Sequence, residues 1–246
     1  MPDWRPLIVR REDGFPRIMG VLNITPDSFF EDSRSNNISE TIKIAESMIQ
    51  NGADWLDIGG ESTRPGANPV KEEEEISRVI PVIRELRKRF PKVGISVDTR
   101  RAKVAALSLE EGADMINDVS ALSDQNMINV VKQSDCCICL MHMKGLPENM
   151  QNNPQYDDVV MEVRRKLNEK VSLLLEEGIN QERIIVDPGI GFGKSLEHNL
   201  LLLKSGREII PLSNIKLMWG VSRKSMFSEL LGRIEARDRL AGTLGI

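Results

Sequence analysis

The sequence predicts an α/β fold, a (β/α)8 barrel that ends before its eighth strand, and two observations support this prediction. Short runs rich in β-branched residues alternate with longer segments of helical period, which is the pattern of βα units around a parallel sheet. The stretches NGADWLDIGG and EGADMINDVS also echo each other as a helix-ending glycine, a short link and a strand. No linker interrupts the pattern, so we expect a single domain over residues 1–246.

Seven runs have the composition of strands, and the segments between them carry apolar stripes at helical spacing. The predicted strands are residues 17–24, 54–59, 93–98, 114–119, 136–141, 183–187 and 215–222. An open doubly wound sheet would also fit repeated βα units, but no dinucleotide fingerprint follows the first strand, which favours the barrel. Each helical stripe is expected to face the sheet, including the one formed by Leu196, Leu200 and Leu203.

The composition argues against several classes of protein. The formal net charge of −4 gives no electrostatic reason to expect a nucleic acid or an anionic membrane as a partner. No apolar run approaches the roughly 20 residues of a membrane span, and the first residues lack a signal-peptide layout, so we expect a cytoplasmic protein. Cys136 and Cys139 would point to opposite faces of a strand, which favours buried apolar cysteines over a shared zinc site.

Polar side chains occur at or near the carboxyl end of each predicted strand. They are Asn23, Asp57, Glu61, Asp98, Asn117, Asp118, His142, Asp187, Ser222, Arg223 and Lys224, with Met141 beside His142. In a βα barrel these strand ends form the active-site face, although a single aspartate there could equally cap the next helix. Carboxylates, an amide and a lysine offer acceptors for several N–H groups and a cationic donor for an oxo group, which suits a flat polar heterocycle.

The stretch DPGIGFGK, residues 187–194, has the glycines and the lysine of a phosphate-binding loop. A P-loop needs a glycine five positions before the Gly-Lys pair, where this chain has Pro188, and the dinucleotide fingerprint needs a glycine where it has Lys194. The stretch is therefore interpreted as Asp187 at a strand end, followed by a glycine-rich turn. Two other loops have the residues for anion chemistry, namely GVSRKS at 220–225 and ESTRPGA at 61–67.

Seven stretches, taken together and in this order, resemble the dihydropteroate synthases of folate biosynthesis. They are MGVLNITPDSF, GGESTRPGA, SVDT, INDVS, MHMKG, DPGIGFGK and GVSRKS, and the resemblance extends over residues 19–246. It implies a TIM barrel, usually a homodimer, and a transferase that condenses 4-aminobenzoate with 7,8-dihydropterin-6-ylmethyl diphosphate to give dihydropteroate and diphosphate. It also implies a requirement for Mg²⁺ and a target for sulfonamides.

Carried over position by position, the resemblance assigns three groups of residues. The pterin would be bound by Asp98, Asn117, Met141, Asp187 and Lys224. The aminobenzoate would be bound by Thr63, Arg64, Pro65, Phe192, Lys224 and Ser225. Asn23 would lie by the magnesium-bound diphosphate. The catalytic residues implied by the resemblance are Asp98, Asp187, Lys224 and Arg64. His142 has no identifiable orienting partner in the sequence and is expected to be structural, and His198 is expected to be exposed.

Two other functions remain open at this point. A pterin-binding methyltransferase domain would share the Asp/Asn pit but would have less use for the TRPGA and SRK stretches, and a catalytically silent barrel could act as a binding partner. The family normally continues into an eighth strand whose Arg-x-His motif contributes to the diphosphate site, and this motif is not in the sequence. We therefore expect the chain to represent a longer protein incompletely and to be poorly active as it stands.

Overall fold

A computed structural model describes the chain at Trp4 and at residues 7–24, 34–62, 69–145, 150–151, 153–210, 212, 214–232 and 235–246. Within these residues the strands are β1 (Met19–Asn23), β2 (Trp55–Gly59), β3 (Gly94–Asp98), β4 (Met115–Asp118), β5 (Cys137–Met141), β6 (Ile184–Asp187) and β7 (Lys216–Leu217). They form a seven-stranded sheet in chain order, and the pairs β1–β2, β2–β3, β3–β4 and β6–β7 run parallel. The predicted α/β fold, with seven strands, is confirmed.

Helices alternate with the strands, as the βα pattern predicts. They are α1 (Arg34–Gln50), α2 (Glu72–Arg89), α3 (Ala102–Glu110), α4 (Asn126–Lys132), α5 (Val159–Glu176), α6 (Leu196–Lys204), α7 (Gly206–Ile209), α8 (Met226–Leu231) and α9 (Leu240–Leu244), with 3-10 turns at Gln181–Arg183 and Ala236–Arg239. Helix α2 begins with four glutamates and ends with Arg87, Lys88 and Arg89, a charge order that complements the helix dipole. Of the helices in the described ranges, none is long and apolar enough to cross a membrane.

The described chain forms two compact units. The first contains the described residues of 1–62, 69–118 and 122–138, and the second contains those of 119–121 and 139–246. Strands β1 to β4 belong to the first unit, β6 and β7 belong to the second, and β5 begins in the first and ends in the second. The expectation of a single domain over residues 1–246 stays a prediction.

The sheet of the first unit has an apolar face and a polar face. Side chains alternate between the two faces along each strand. On one face Leu56, Ile58, Ile95, Val97 and Ile116 are fully buried and form the core. The opposite face ends in carboxylate and amide side chains, which lie in register across neighbouring strands. The alternation therefore separates residues that stabilise the fold from residues that are available for chemistry.

Ion pairs hold the amino ends of β2 and β4. Asp54, just before β2, pairs with Arg11 and Arg17 at 2.8 Å each. Asp114, just before β4, is almost fully buried and pairs with Arg87, whose guanidinium also donates to backbone carbonyls of the same region. These pairs lie at the strand ends opposite to those that carry the predicted site residues, and we assign them a structural role.

Helix α6 turns a different face inward from the one predicted. Leu200 is 41% exposed, whereas Asn199 and Leu202 are buried. Asn199 points inward because its Oδ1 accepts a hydrogen bond from the Gly191 N–H at 2.8 Å. Leu202 follows three residues later and so lies on the same face of the helix. The prediction of a buried stripe through Leu200 was wrong, because Asn199, held by the Gly191 N–H, and Leu202 occupy the inward face of the helix.

Strand β7 is shorter than predicted. The predicted strand covered residues 215–222, whereas β7 comprises only Lys216–Leu217, and residues 222–224 lie in a turn before α8. Arg223 has a left-handed φ of 51°, which a strand does not accommodate, and its N–H donates to the Thr243 Oγ1 at 2.9 Å. The cationic loop is therefore held as a turn and is not a continuation of the sheet.

The three cysteines around β5 fit the expectation from their spacing. All three are buried, and none of them forms a disulfide. The interpretation of Cys136 and Cys139 as buried apolar residues is therefore confirmed.

Candidate active site

Polar side chains of the first unit form one row across the carboxyl ends of β1 to β4. The strand register aligns Asn23 with Gly59, Gly59 with Asp98, and Asp98 with Asn117. A Cβ at Gly59 would lie 3.4 Å from the Asn23 Oδ1 and 3.6 Å from the Asp98 Oδ2, so the glycine leaves room for these two groups. Asn23 is exposed, Asp98 is half-buried and Asn117 is buried. The structure thus brings together the three site residues that the sequence placed in this unit.

Asp57 lies one layer below this row. It was expected to follow the second strand, but it lies in the middle of β2, two residues before Gly59 and on the same face. Its side chain is buried, and the Asn117 Nδ2 donates to its Oδ2 at 3.1 Å across β3. The Asn117 Oδ1 is also buried and has no hydrogen-bond partner within the part of the chain that the structure describes. This oxygen is an acceptor that is available to a ligand.

The carboxylates of this face oppose one another electrostatically. Burial raises the pKa of Asp98 well above its usual range, and the nearby charges of Asp57, Glu75 and Asp118 raise it further. Burial also raises the pKa of Asp57, although the nearby Ser96 hydroxyl and the hydrogen bond from Asn117 oppose that rise. Burial and like charge therefore both act to keep Asp98 protonated to a higher pH than an exposed aspartate.

Glu61 anchors the chain where the ESTRPGA stretch begins. Its carboxylate accepts from Arg100 at 3.0 Å, from Arg101 at 2.8 Å and from the Val70 N–H at 3.1 Å. Burial would raise the pKa of Glu61, but Arg100, Val70 and Arg101 lower it overall. Arg101 also pairs with Glu75, a fully buried residue of α2. Glu61 and Val70, on either side of residues 63–68, are therefore joined by a direct hydrogen bond, and part-buried ion pairs hold Glu61 in place.

Thr63, Arg64 and Pro65, to which the sequence assigned the aminobenzoate, lie outside the described residues. Their assigned roles stay predictions.

In the second unit, Asp187 ends β6 and is almost fully buried. Its Oδ1 accepts from the Gly189 N–H at 2.7 Å, and its carbonyl accepts from the His142 N–H at 2.9 Å. Burial raises the pKa of Asp187, while the Gly189 N–H and the charges of Lys224 and Lys194 act against this rise. The carboxylate is therefore oriented by the backbone and partly balanced by two lysines.

The cationic loop brings Lys224 to the glycine-rich loop. The Lys224 Nζ lies 4.0 Å from the centroid of the Phe192 ring, which is a cation–π geometry. A Cβ at Gly191 would lie 3.3 Å from the Lys224 Cδ, which is a tight contact, and the left-handed φ of 81° at this position also favours glycine. Met141, at the end of β5, is buried, and Ser225, just before α8, is exposed. Among the site residues predicted for this unit, the structure pairs Lys224 with Phe192 directly.

The glycines of residues 187–194 serve the loop itself. Gly189, Gly191 and Gly193 all have left-handed φ, between 63° and 81°. A Cβ at Gly189 would collide with the carbonyl oxygen of His142, and a Cβ at Gly193 would collide with that of Lys144. At Gly189 and Gly193 the glycine-rich turn therefore allows a close approach to the segment after β5.

Lys194 is buried and contacts several groups. In the sequence it served only as evidence against a dinucleotide fingerprint. Its Nζ lies 3.0 Å from the His142 Nδ1, 3.0 Å from the Phe192 carbonyl and 3.3 Å from the His142 carbonyl. Burial lowers the pKa of Lys194 to about 7 and that of His142 to about 3. The expected structural role of His142 gains the orienting partner that the sequence did not reveal. Spacing in the sequence gave no signal for this pair, because 52 positions separate the two residues.

His198 is half-buried at the start of α6. Its Nδ1 accepts from the Ser195 N–H at 3.2 Å, while its own N–H donates to the Ser195 Oγ at 3.2 Å. The two residues form a capping box, so His198 has a structural role and is less exposed than expected.

Comparison with known proteins agrees with this arrangement. Residues 19–246 match the model of a family described as pterin binding enzyme. The chain is 44% identical to the dihydropteroate synthase of Escherichia coli K12 over 229 residues, which cover 93% of this chain and 80% of that protein.

The chain belongs to the dihydropteroate synthase family of pterin-binding enzymes.

Solved structures of the family support the same conclusion. A Yersinia pestis dihydropteroate synthase with a bound sulfonamide superposes with a TM-score of 0.86 at 40% identity, covering 94% of this chain and 82% of that one. A Xanthomonas albilineans dihydropteroate synthase with bound 4-aminobenzoic acid gives a TM-score of 0.85 at 40% identity, covering 94% of this chain and 81% of that one. The predicted enzyme, a transferase that makes dihydropteroate in folate biosynthesis, is confirmed, and the synthase is favoured over a methyltransferase domain.

Proposed function

We propose that the buried strand-end groups recognise the pterin of the dihydropteroate synthase reaction through hydrogen bonds. Asp98 and Asn117 carry this role in the first unit, and Asp187, Met141 and Lys224 carry it in the second. The observation behind this proposal is the burial of polar atoms at strand ends, above all the Asn117 Oδ1, which has no partner in the described chain. Burial without a partner is costly, so such groups are expected where a ligand supplies the missing hydrogen bonds.

The aminobenzoate is proposed to meet Phe192, Lys224 and Ser225 in the second unit. Phe192 offers an apolar ring face, and the Lys224 ammonium at 4.0 Å from that ring offers a charge for a carboxylate or an oxo group. The 4-aminobenzoic acid bound in the Xanthomonas albilineans enzyme supports this class of substrate. Thr63, Arg64 and Pro65 are proposed to complete the same function.

The chemistry is a substitution at the exocyclic methylene of the pterin. The bond between this carbon and the diphosphate oxygen breaks with its electron pair, and the amine nitrogen of aminobenzoate donates a pair to form the new C–N bond. The nitrogen then loses a proton to water. Positive charge develops on the pterin before the amine attacks, and a nearby aspartate charge stabilises it. The reaction requires no covalent bond to the protein.

Mg²⁺ is a proposed cofactor, with Asn23 as its proposed protein contact. Within the described residues no group of three or more His, Cys, Asp or Glu side chains could hold a metal ion. This fits Mg²⁺, which keeps several waters and binds substrate phosphates together with few protein oxygens. The exposed Asn23 side chain, beside the site of Asp98, offers one such oxygen. When bound, the ion would neutralise charge on the departing diphosphate.

We also propose a homodimeric state, which the family resemblance implies, and a cytoplasmic location, which the sequence favours. Sedimentation of the purified chain tests the first, and fractionation of cells that express it tests the second.

An assay of dihydropteroate formation from both substrates, with Mg²⁺ and with a chelator, tests the proposed function. We expect Mg²⁺-dependent product, and binding of the pterin diphosphate measurable by calorimetry in the absence of aminobenzoate. Binding without turnover would support the silent-barrel alternative. Absence of both would contradict the proposed pterin site.

A further inference from the structure

Asp57 has no role among the ligand residues proposed above, yet it touches one of them. It lies in β2 at 5% exposure, beside Ser96 in the strand register. Asn117, in β4, is 8% exposed and donates its Nδ2 to the Asp57 Oδ2 at 3.1 Å. Both groups belong to the first unit. A buried carboxylate in the layer below the site therefore holds the amide of the layer above.

The Asp57 carboxyl group determines how the amide is turned. A carboxylate only accepts hydrogen bonds, whereas an amide has one end that donates and one that accepts. The Asn117 Nδ2 donates to the Asp57 Oδ2, so the NH₂ of the amide faces Asp57 and its Oδ1 faces away.

The Asn117 Oδ1 is the acceptor that the amide presents on the side away from Asp57. It is buried and, within the described chain, has no hydrogen-bond partner. A buried acceptor without a partner is unfavourable in the free protein and becomes favourable when a ligand N–H reaches it. Orientation of the amide thus decides whether the ligand meets an acceptor or a donor.

We propose that Asp57 is a positioning residue that locks the Asn117 amide with its oxygen toward the ligand, and so makes this position specific for an N–H donor of the pterin. The inference rests on the proposed pterin role of Asn117. Without the Asp57 carboxylate the amide can turn by half a rotation and present its NH₂ to a ligand N–H, which is a repulsive pairing.

A reciprocal exchange tests this role. The variants are Asp57→Asn, Asn117→Asp and the double variant D57N/N117D, with Glu110→Gln, an exposed carboxylate on α3, as a control for the loss of one charge. In the double variant, the amide introduced at position 57 donates to one oxygen of the carboxylate introduced at position 117. The other oxygen of that carboxylate remains an acceptor for the ligand. The formal charge equals that of the wild type.

We expect each single variant to bind 7,8-dihydropterin-6-ylmethyl diphosphate about tenfold more weakly by calorimetry. In Asp57→Asn the amide loses its fixed orientation, and in Asn117→Asp two carboxylates face each other. The double variant should return to within about threefold of the wild type. The KM for aminobenzoate should remain unchanged in Asp57→Asn, whereas a general loss of structure would change both substrates and lower the Tm in parallel.

The outcomes distinguish the positioning role of Asp57 from the proposed binding of the pterin. Wild-type affinity in Asp57→Asn, or a double variant no better than Asn117→Asp alone, would overturn the positioning role. If Asp57→Asn does not fold, the comparison of the double variant with Asn117→Asp still decides. Failure of the wild type to bind the pterin diphosphate would instead contradict the proposed function.

Discussion

The two units place charges of opposite sign around their strand-end aspartates, Asp98 in the first unit and Asp187 in the second. In the first unit Asp98 lies among other acids, and burial together with the charge of Asp57 raises its pKa well above the usual range. In the second unit Asp187 is also buried, but Lys194 and Lys224 supply positive charge and a backbone N–H fixes its orientation. Like charges therefore add to the effect of burial on the pKa of Asp98, whereas lysines oppose that effect at Asp187.

Asp187→Asn should have the largest effect. The amide can still accept from the Gly189 N–H, but its NH₂ would replace the other acceptor oxygen and face ligand donors. We expect affinity for the pterin diphosphate to fall by about 100-fold or more, at roughly 1–3 kcal/mol per mismatched hydrogen bond. Calorimetry beside the Glu110→Gln control measures this. Affinity within about threefold of the wild type would remove Asp187 from the pterin site.

Asp98→Asn should reduce turnover by at least about tenfold and also stabilise the free protein. A carboxyl whose pKa is raised by folding binds its proton more tightly in the folded state, so wild-type stability falls as pH rises above the unfolded pKa. The variant lacks this loss. We expect its Tm at neutral pH to exceed that of the wild type by about 2–4 °C, for a gain of about 1 kcal/mol. A lower Tm at neutral pH would contradict the like-charge description of the first unit.

Lys194→Met should destabilise the second unit without removing a proposed ligand contact. The carbonyls of Phe192 and His142 would lose their donor, at roughly 1–3 kcal/mol for each buried group left unpaired. Because folding lowers the pKa of Lys194 from 10.5 to about 7, the unfolded state binds more protons between these values, and wild-type stability rises with pH.

Denaturant unfolding at several pH values tests this coupling. The stability gap between wild type and Lys194→Met should widen from pH 7 towards pH 10, by at most ~1.4 kcal/mol per pH unit. A constant gap over this interval would show that Lys194 titrates normally.

The smallest expected effect concerns His142, whose protonation should not change between pH 5 and pH 8. Burial and the Lys194 charge lower the pKa of His142 to about 3, so its imidazole should stay neutral between pH 5 and pH 8. Its ring signals in NMR spectra should not move over this interval. A titration midpoint near 6.5 would mean that the contact with Lys194 does not persist in solution.

The periodicity of the sequence was sufficient for the fold, because alternation of apolar residues directly reflects which side chains are buried. It failed at α6, where the inward position of Asn199 depends on a hydrogen bond to Gly191. Such a contact joins a helix to a loop and leaves no trace in hydrophobic spacing. The limit of β7 was missed for a similar reason, since the left-handed Arg223 is held by the distant Thr243.

Among the site residues, some could also be identified from the sequence and others only from the structure. Asp98, Asn117 and Asp187 stand at strand ends, and the sequence alone marks them as candidates. Asp57 was misplaced, because the sequence does not show that its side chain lies one layer below the strand end and reaches Asn117 across β3. Lys194 was missed because its burial against His142 depends on how two loops pack. Contacts between side chains that are distant in sequence can be identified only from the structure.

The contrast between the two units is tested most directly by a carboxyl carbon NMR titration of the wild type, with Asp98→Asn and Asp187→Asn used to assign the two signals. We expect Asp98 to remain protonated well above the usual range of an aspartate, and Asp57→Asn to lower its titration midpoint. An Asp98 signal with a midpoint near the ordinary value of about 3.9, unchanged in Asp57→Asn, would contradict the account.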